Sequence, residues 1–366
     1  MLEIKPIINA LRRSKVGAIL LLIQIAITTA IVSNAAFIIQ DRMTYLQQET
    51  GYPEQDIFSI TVMTYGKDRD LSQQFEEDEA LLRNLPGVVD AALSNAVPLS
   101  GSGSASGMGL KPAPEPGRNV RAGYLFGDDH MLNTLGVKLK EGRNFAPDEV
   151  IVTQDPGKVP NVAIVSSTFA LEAYPDGDGL GKLMYMGDKP FKIIGIVDKM
   201  KGPWLKDDRP DNVVIFPYIK AETYQHIIVR TEPGQRAAVM QTVEDKLLAA
   251  YDKRVFTNVI TLDENKRQYN ASDTLMLRML MVLIVVLVAI TTLGIFGLTL
   301  FNISKRTRQI GTRRALGARK SDIIRYFLVE NTLICSGGLI IGCTAAVLMG
   351  QQLLQRFSLP ALEIQY

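Results

Sequence analysis

Met279-Leu-Met-Val-Leu-Ile-Val-Val-Leu-Val-Ala-Ile-Thr-Thr-Leu-Gly-Ile-Phe-Gly-Leu-Thr-Leu-Phe-Asn-Ile-Ser304 contains no aspartate, glutamate, lysine or arginine. A helix crossing a bilayer needs about 20 mostly apolar residues. One charge at its centre costs roughly 2.5–3.5 kcal/mol. Moving outward from this stretch, Val16–Gln40 and Asn331–Gln355 are equally free of charge. The averages over 366 residues, 47% apolar with a formal net charge of +2, conceal these blocks. Three such runs specify an α-helical multi-pass membrane protein, with spans over 16–40, 279–302 and 331–355.

The first run competes with a signal-peptide reading. Lys5, Arg12, Arg13 and Lys15 precede it, and Ser33-Asn34-Ala35 has the small-residue form of a cleavage site. A signal core is about 7–15 residues long, and Val16–Val32 already exceeds that, so the run reads as a retained span. Ile4, Ile7, Ile8 and Leu11 recur at helical spacing beside the basic residues, which suits an interfacial cytoplasmic helix over 1–15.

Charge orients the spans. Residues 1–15 carry four basic residues and one acidic, and residues 303–330 carry eight and two. Residues 41–277 carry 26 basic and 34 acidic, a net of −8. Basic excess in short loops marks the cytoplasmic side. The N-terminus and 303–330 are therefore expected inside and 41–277 outside, with 356–366 outside at the end. Either three spans suffice, or a fourth helix that returns to the cytoplasm is missing. The loop's charge needs no nucleic-acid partner, because it lies between two lipid-embedded runs. Cys335 and Cys343 both fall in the third run. The exported segment has no disulfide framework and is long enough to bury its own core.

Within that segment the periodicity predicts a strand over Ile57–Met63, a helix over Leu71–Asn84 and a strand over Val88–Leu93. The pattern returns as a strand over His226–Arg230, a helix over Gln235–Tyr251 and a strand over Arg254–Leu262. Two strand–helix–strand units split by an insertion point to a ferredoxin-like α+β layer over 41–97 and 218–262. The insertion, 98–217, reads as a second, mostly β subdomain. Its Gly/Ser-rich Ser100–Gly109 and proline-rich Pro112–Pro116 are expected to form a mobile hairpin. Thr261-Leu-Asp-Glu264 has the form of a capping box. No proline or glycine follows it until Gly294, so one helix is expected from 262 to 302, with 263–277 as an extramembrane stalk. The first span has no breaker between Gly17 and Gly51 and is expected to project in the same way.

Catalytic and metal-binding chemistry finds little purchase. His130 and His226 lack metal-like spacing with cysteine or acidic residues. The run Gly177–Leu183 mimics a phosphate loop, but Asp176 stands where the first glycine belongs and Leu183 where a Mg²⁺-binding hydroxyl belongs. Ser94, Ser166 and Ser167 have no nearby base. The chain reads as a non-enzyme without a cofactor of its own.

The cytoplasmic loop has an internal order that charge alone does not require. Lys305–Leu316 reads as helix, Gly317 as its C-terminal cap and Ser321-Asp322 as the start of the next helix. The segment Arg308-Gln-Ile-Gly-Thr-Arg-Arg-Ala-Leu-Gly-Ala-Arg-Lys-Ser-Asp-Ile323 closely resembles the R-E-I-G-x-R-x-A-L-G-A segment of MacB/FtsX-type ABC transporter permeases, which lipoprotein-releasing permeases share. Leu85–Pro98, Leu135–Phe145, and Ala163–Lys182 followed by Ile193–Val197 resemble that family's periplasmic blocks.

The resemblance implies four membrane helices, a porter-like layer, a sabre-like insertion and a bacterial inner-membrane location with 41–277 periplasmic. It implies a dimer with a second permease copy or paralogue. Cytoplasmic ATPase subunits would bind ATP and Mg, and a periplasmic adaptor and outer-membrane channel are possible partners. With no ATPase ahead of Met1, that ATPase is expected as a separate chain. The ATPase-coupling residues it implies are Arg308, Ile310, Gly311, Arg313, Arg314, Ala315, Leu316, Gly317 and Ala318. Lys305 and Gln309 depart from the acidic residues usual in the family. The function implied is export or extraction driven by mechanotransmission. The alternatives are an FtsX-like regulator of a periplasmic cell-wall enzyme and a passive membrane-anchored binding module.

Overall fold

A computed structural model describes residues 15–357 except Lys67 and Pro156. The interfacial helix expected over 1–15 falls, except for Lys15, outside the described residues, as does the expected outer end beyond Phe357. In chain order the elements are α1 (Lys15–Leu46), β1 (Ile57–Thr64), α2 (Leu71–Arg83), β2 (Val88–Ser94), β3 (Ser104–Gly109) and β4 (Asn119–Gly127). Next come α3 (Met131–Leu135), β5 (Leu139–Gly142), β6 (Ile151–Thr153), β7 (Val162–Ser166), α4 (Ser167–Ala173), β8 (Leu183–Met186), β9 (Lys189–Val197) and β10 (Val213–Lys220). The chain ends with β11 (Tyr224–Thr231), α5 (Arg236–Ala250), β12 (Arg254–Thr261), α6 (Leu262–Tyr269), α7 (Ala271–Lys305), α8 (Thr307–Ala315) and α9 (Lys320–Phe357). Among the described residues they form two units, one of residues 15–48 with 272–357 and the other of 49–271.

In the membrane unit, α1, α7 and α9 are each long and apolar enough to cross a bilayer. Helix α1 packs on α9 through small residues: Ile25 lies against Gly338, and Thr29 and the Ala26 carbonyl against Gly342. Without side chains at those glycines the backbones approach closely, which is the main source of helix association in lipid. Asn34 adds a bond from its amide to the Ala346 carbonyl at 3.1 Å. That asparagine belongs to the sequence resembling a cleavage site, and here it lies inside an unbroken helix. On α7, the Thr28 and Thr291 hydroxyls meet at 2.7 Å and Gln24 donates to the Ile290 carbonyl at 3.3 Å.

The single helix expected from 262 to 302 is two helices. Thr261 caps the first as anticipated, its hydroxyl accepting the Glu264 N–H at 3.2 Å. Asn270 ends it, with its side-chain amide turned back to the Lys266 carbonyl at 3.0 Å. An asparagine side chain can compete for backbone partners in this way, and scanning for proline and glycine alone overlooks it. The part of the expected stalk continuous with the span is therefore 271–277, paired with the end of α1 through Arg42 and Asp273 at 4.0 Å.

In the second unit, β12, β1, β11 and β2 form an antiparallel sheet in that order. Numbered within the four, this is 4-1-3-2, the order a split βαβ pair produces. Phe58, Ile60 and Val62 of β1 and Ile227 and Val229 of β11 alternate onto one face. There they pack against Phe75 and Leu82 of α2 and Val239, Val243 and Leu247 of α5.

The insertion closes on itself. Strands β4, β3, β8, β9, β7 and β10 are successive neighbours, and β10 returns to pair with β4 in parallel, Val213–Pro217 against Gly123–Gly127. Met108, Val120, Ala163, Val165, Ile193, Val214 and Phe216 fill the ring. The Gly/Ser-rich stretch expected to be a mobile hairpin supplies β3, paired along its length with β4. Beyond the ring, Ile219 on β10 joins the core of the first sheet, so one strand ties both subdomains together.

Candidate functional site

Helix α8 has nine residues, with Gly311 at its middle. A helix this short is marginal in water, and a central glycine costs about 1 kcal/mol more, so its ends must hold it. At the start, Arg306 leaves helical geometry (φ −102°, ψ 9°) and separates α7 from α8. The helix expected over Lys305–Leu316 is thus broken at its second residue. The Arg306 guanidinium reaches Glu330 of α9 at 2.9 Å, and the two side chains are only 17% and 7% exposed. Lys305 lies 4.4 Å over the Phe301 ring.

At the far end, the Gly317 N–H bonds to the Arg314 carbonyl at 3.1 Å. Gly317 has φ +91°, which a β-branched residue resists. The next helix starts one residue before the expected cap. Asp322 acts from inside its first turn, accepting the Arg319 N–H at 3.3 Å.

Between these anchors Arg308, Gly311, Arg314, Ala315, Leu316 and Gly317 are exposed, and Ile310 and Ala318 are half-buried. The Arg313 side chain lies outside the described residues. Leu316 is 83% exposed, an apolar side chain at the tip of a basic helix. Of the nine expected residues, Arg308, Ile310, Gly311, Arg313, Arg314 and Ala315 lie on α8, and Leu316, Gly317 and Ala318 follow it in the turn toward α9. Arg306 and Glu330 were missed, because both were counted only as loop charges. Glu330 borders an uncharged run, and a carboxylate there needs a partner.

Where the chain enters and leaves the second unit, both connections grip one loop, residues 199–206. Near the entry, Lys199 pairs with Glu49 at 3.1 Å and the Tyr52 hydroxyl donates to the Lys201 carbonyl. Gly51, at φ +87°, lies so close to that loop that an added Cβ would sit 2.1 Å from the Lys199 carbonyl oxygen. Near the exit, Lys206 lies 5.0 Å over the Tyr269 ring.

Arg83 forms a third cluster, meeting Asp128 at 2.6 Å, Asp90 at 3.3 Å and Glu79 at 3.5 Å. His130 adds a contact to Asp90 at 2.9 Å. Burial, and then repulsion from Asp128, pushes the Glu79 carboxyl well above its usual range. Burial also raises Asp128, against the pull of Arg83. Among the described residues, no group of three His, Cys, Asp or Glu is placed to hold a metal ion.

The MacB-like periplasmic core domain model matches residues 18–246, and the FtsX-like permease C-terminal model matches 281–365, which includes α8. The chain belongs to the MacB/FtsX-type ABC transporter permease family. It is 25% identical over 230 residues to the macrolide export ATP-binding/permease protein MacB of Chromobacterium violaceum, covering 61% of this chain and 34% of that protein. To the probable syringafactin export ATP-binding/permease protein SyfD of Pseudomonas syringae it is 29% identical over 257 residues, covering 65% and 38%. The chain therefore spans little more than a third of the length of these curated relatives. The crystal structure of the periplasmic region of MacB from Actinobacillus actinomycetemcomitans aligns with a TM-score of 0.38 and 16% identity, over 60% of this chain and 94% of that one. As a family permease, the protein is a membrane protein with an extracytoplasmic domain.

Proposed function

We propose that this permease converts ATP hydrolysis by a separate cytoplasmic ATPase into movement of its extracytoplasmic domain, driving export or extraction of a substrate. Helix α8 carries the reading. It is a basic, exposed helix with an apolar tip, fixed to α9 by the Arg306–Glu330 pair. A push on α8 moves α7 and α9 with little slack. In this reading the four-stranded layer is the porter-like part and the closed ring the sabre-like part. The loop at 199–206 carries movement to the ring from both chain connections. The working form is a dimer with a second copy or paralogue, the N-terminus and 303–330 cytoplasmic and 41–277 periplasmic. A periplasmic adaptor and an outer-membrane channel complete the export path.

Reconstitution with the ATPase of the same operon tests this. The permease should change the ATPase rate, and replacing Leu316 with Glu should abolish that change while leaving basal hydrolysis intact. An ATPase indifferent to the permease would overturn the proposal. For orientation, a membrane-impermeant thiol reagent on intact cells should label Ser102→Cys and spare Ser304→Cys, and the reverse pattern would invert the topology.

A further inference from the structure

Strand β12 is an edge of the four-stranded sheet, and among the described residues no other strand pairs with its outer side. Such an edge presents a row of unpaired N–H and C=O groups, which proteins usually protect with lysine, proline or inward-pointing charge. Val255-Phe-Thr-Asn-Val-Ile-Thr261 contains none of these. The one protective device is a bulge at Thr257, where the register against β1 slips between Thr61 and Val62. Thr257 and Asn258 are exposed, so neither a helix nor a loop covers the middle of the strand.

Both faces of this edge are apolar and incompletely covered. On the helix-covered face, Phe256 and Val259 pack against the core yet stay half-buried. On the other face, Val255, Met63 and Tyr224 stand directly opposite one another across β12, β1 and β11. They are 52%, 50% and 52% exposed, an apolar row that begins on the edge strand. The charges flanking the strand are already paired: Lys253 with Asp68 at 2.8 Å, Arg254 with Asp78 at 2.6 Å and Asp263 with Arg236 at 2.7 Å.

These features specify what fits. Alternating N–H and C=O groups match an extended backbone, and a strip whose flanking charges are satisfied complements an uncharged one. Apolar ground on both faces takes β-branched or aromatic side chains at successive positions. A second copy of β12 would bring its own bulge at Thr257 and interrupt the shared ladder twice. We propose that the outer side of β12 is a docking site for a regular, uncharged, β-branched segment of another protein on the same side of the membrane, which adds to the sheet as a fifth strand. The inference goes beyond the coupling role and does not depend on it.

The test is hydrogen exchange by mass spectrometry on the full chain in lipid nanodiscs, with a capped, alternating threonine–valine hexapeptide as the probe at millimolar concentration. Slower exchange of the outward amides of 254–261, saturating with peptide, is expected. N-methylating the peptide on its pairing side removes about two ladder hydrogen bonds and should weaken binding about thirtyfold. Val255→Lys places a charge at a half-exposed edge position and should weaken it about fivefold, with thermal unfolding near that of the parent. No peptide-dependent protection, equal protection by the N-methylated peptide, or unchanged affinity in Val255→Lys would overturn the assignment. Protection of 254–261 without peptide, seen in nanodiscs holding two copies and lost in those holding one, would give the edge to a second copy and overturn it as well.

Discussion

Arg306→Ala is the most informative single perturbation of the coupling segment. It leaves Glu330, whose side chain is 7% exposed, without its cation. Removing one partner of a buried pair costs about 3–5 kcal/mol, because the remaining charge is stranded. The reverse change, Glu330→Ala, strands a guanidinium that is 17% exposed and can turn to water. Its cost should be nearer the charge-assisted hydrogen bond itself, about 1.5–3 kcal/mol. The double variant strands neither charge and should recover part of the loss, giving a coupling energy of about 2 kcal/mol in a double-mutant cycle. Amide exchange in α8, measured by mass spectrometry on the reconstituted protein, reports this directly. Since each 1.4 kcal/mol is tenfold, protection should fall by roughly two to three and a half orders of magnitude in Arg306→Ala and by less in Glu330→Ala. If the two single effects are equal and simply add in the double variant, the pair does not anchor α8.

Three further outcomes follow from the same geometry. Gly317→Val should cost about 1–2 kcal/mol through positive φ alone, since nothing lies within 4 Å of an added Cβ; ATPase modulation should drop while purified protein yield stays near normal. Gly51→Ala meets both a positive φ and the Lys199 carbonyl, so thermal unfolding of the extracytoplasmic domain should fall by several degrees, well beyond the effect of Gly317→Ala. Glu79 is raised by burial first and Asp128 second, so the folded state holds its proton more tightly than the unfolded chain, where the pKa is about 4.3. Stability should therefore fall as pH rises above that value toward the raised folded pKa. Glu79→Gln, which keeps an acceptor for the Leu93 N–H, should flatten that slope in unfolding curves taken across the acidic range.

The three long apolar helices were legible because their runs carry no charge over the length a helix needs to cross a bilayer, as at Met279–Ser304. The two strand–helix–strand units were legible for a related reason, since each strand alternates onto a single helix-covered face. The closure of the insertion was not. It depends on β10 returning to β4, residues 213–217 against 123–127, and no local pattern encodes a pairing so distant in sequence. Ser104–Gly109 looked like linker because glycine and serine are common in linkers, yet the same residues pair along a strand whose Met108 reaches the ring interior. The helix break at Asn270 and the Arg306–Glu330 pair were hidden for a different reason. Both rest on side-chain geometry that residue type permits but does not dictate.

The central claim is that events at α8 move the extracytoplasmic domain, and inter-copy distance measurement tests it most directly. Cys335 and Cys343 are the two free cysteines and must first be replaced by serine. A spin label at Leu171, 56% exposed on α4, then reports the separation between two copies. With the ATPase bound, the account predicts one distance distribution without nucleotide and a distinctly shifted one when ATP is trapped. It also predicts that Arg306→Ala abolishes the shift without preventing ATP binding. The same distribution with and without trapped ATP, in a complex that hydrolyses ATP normally, would contradict it.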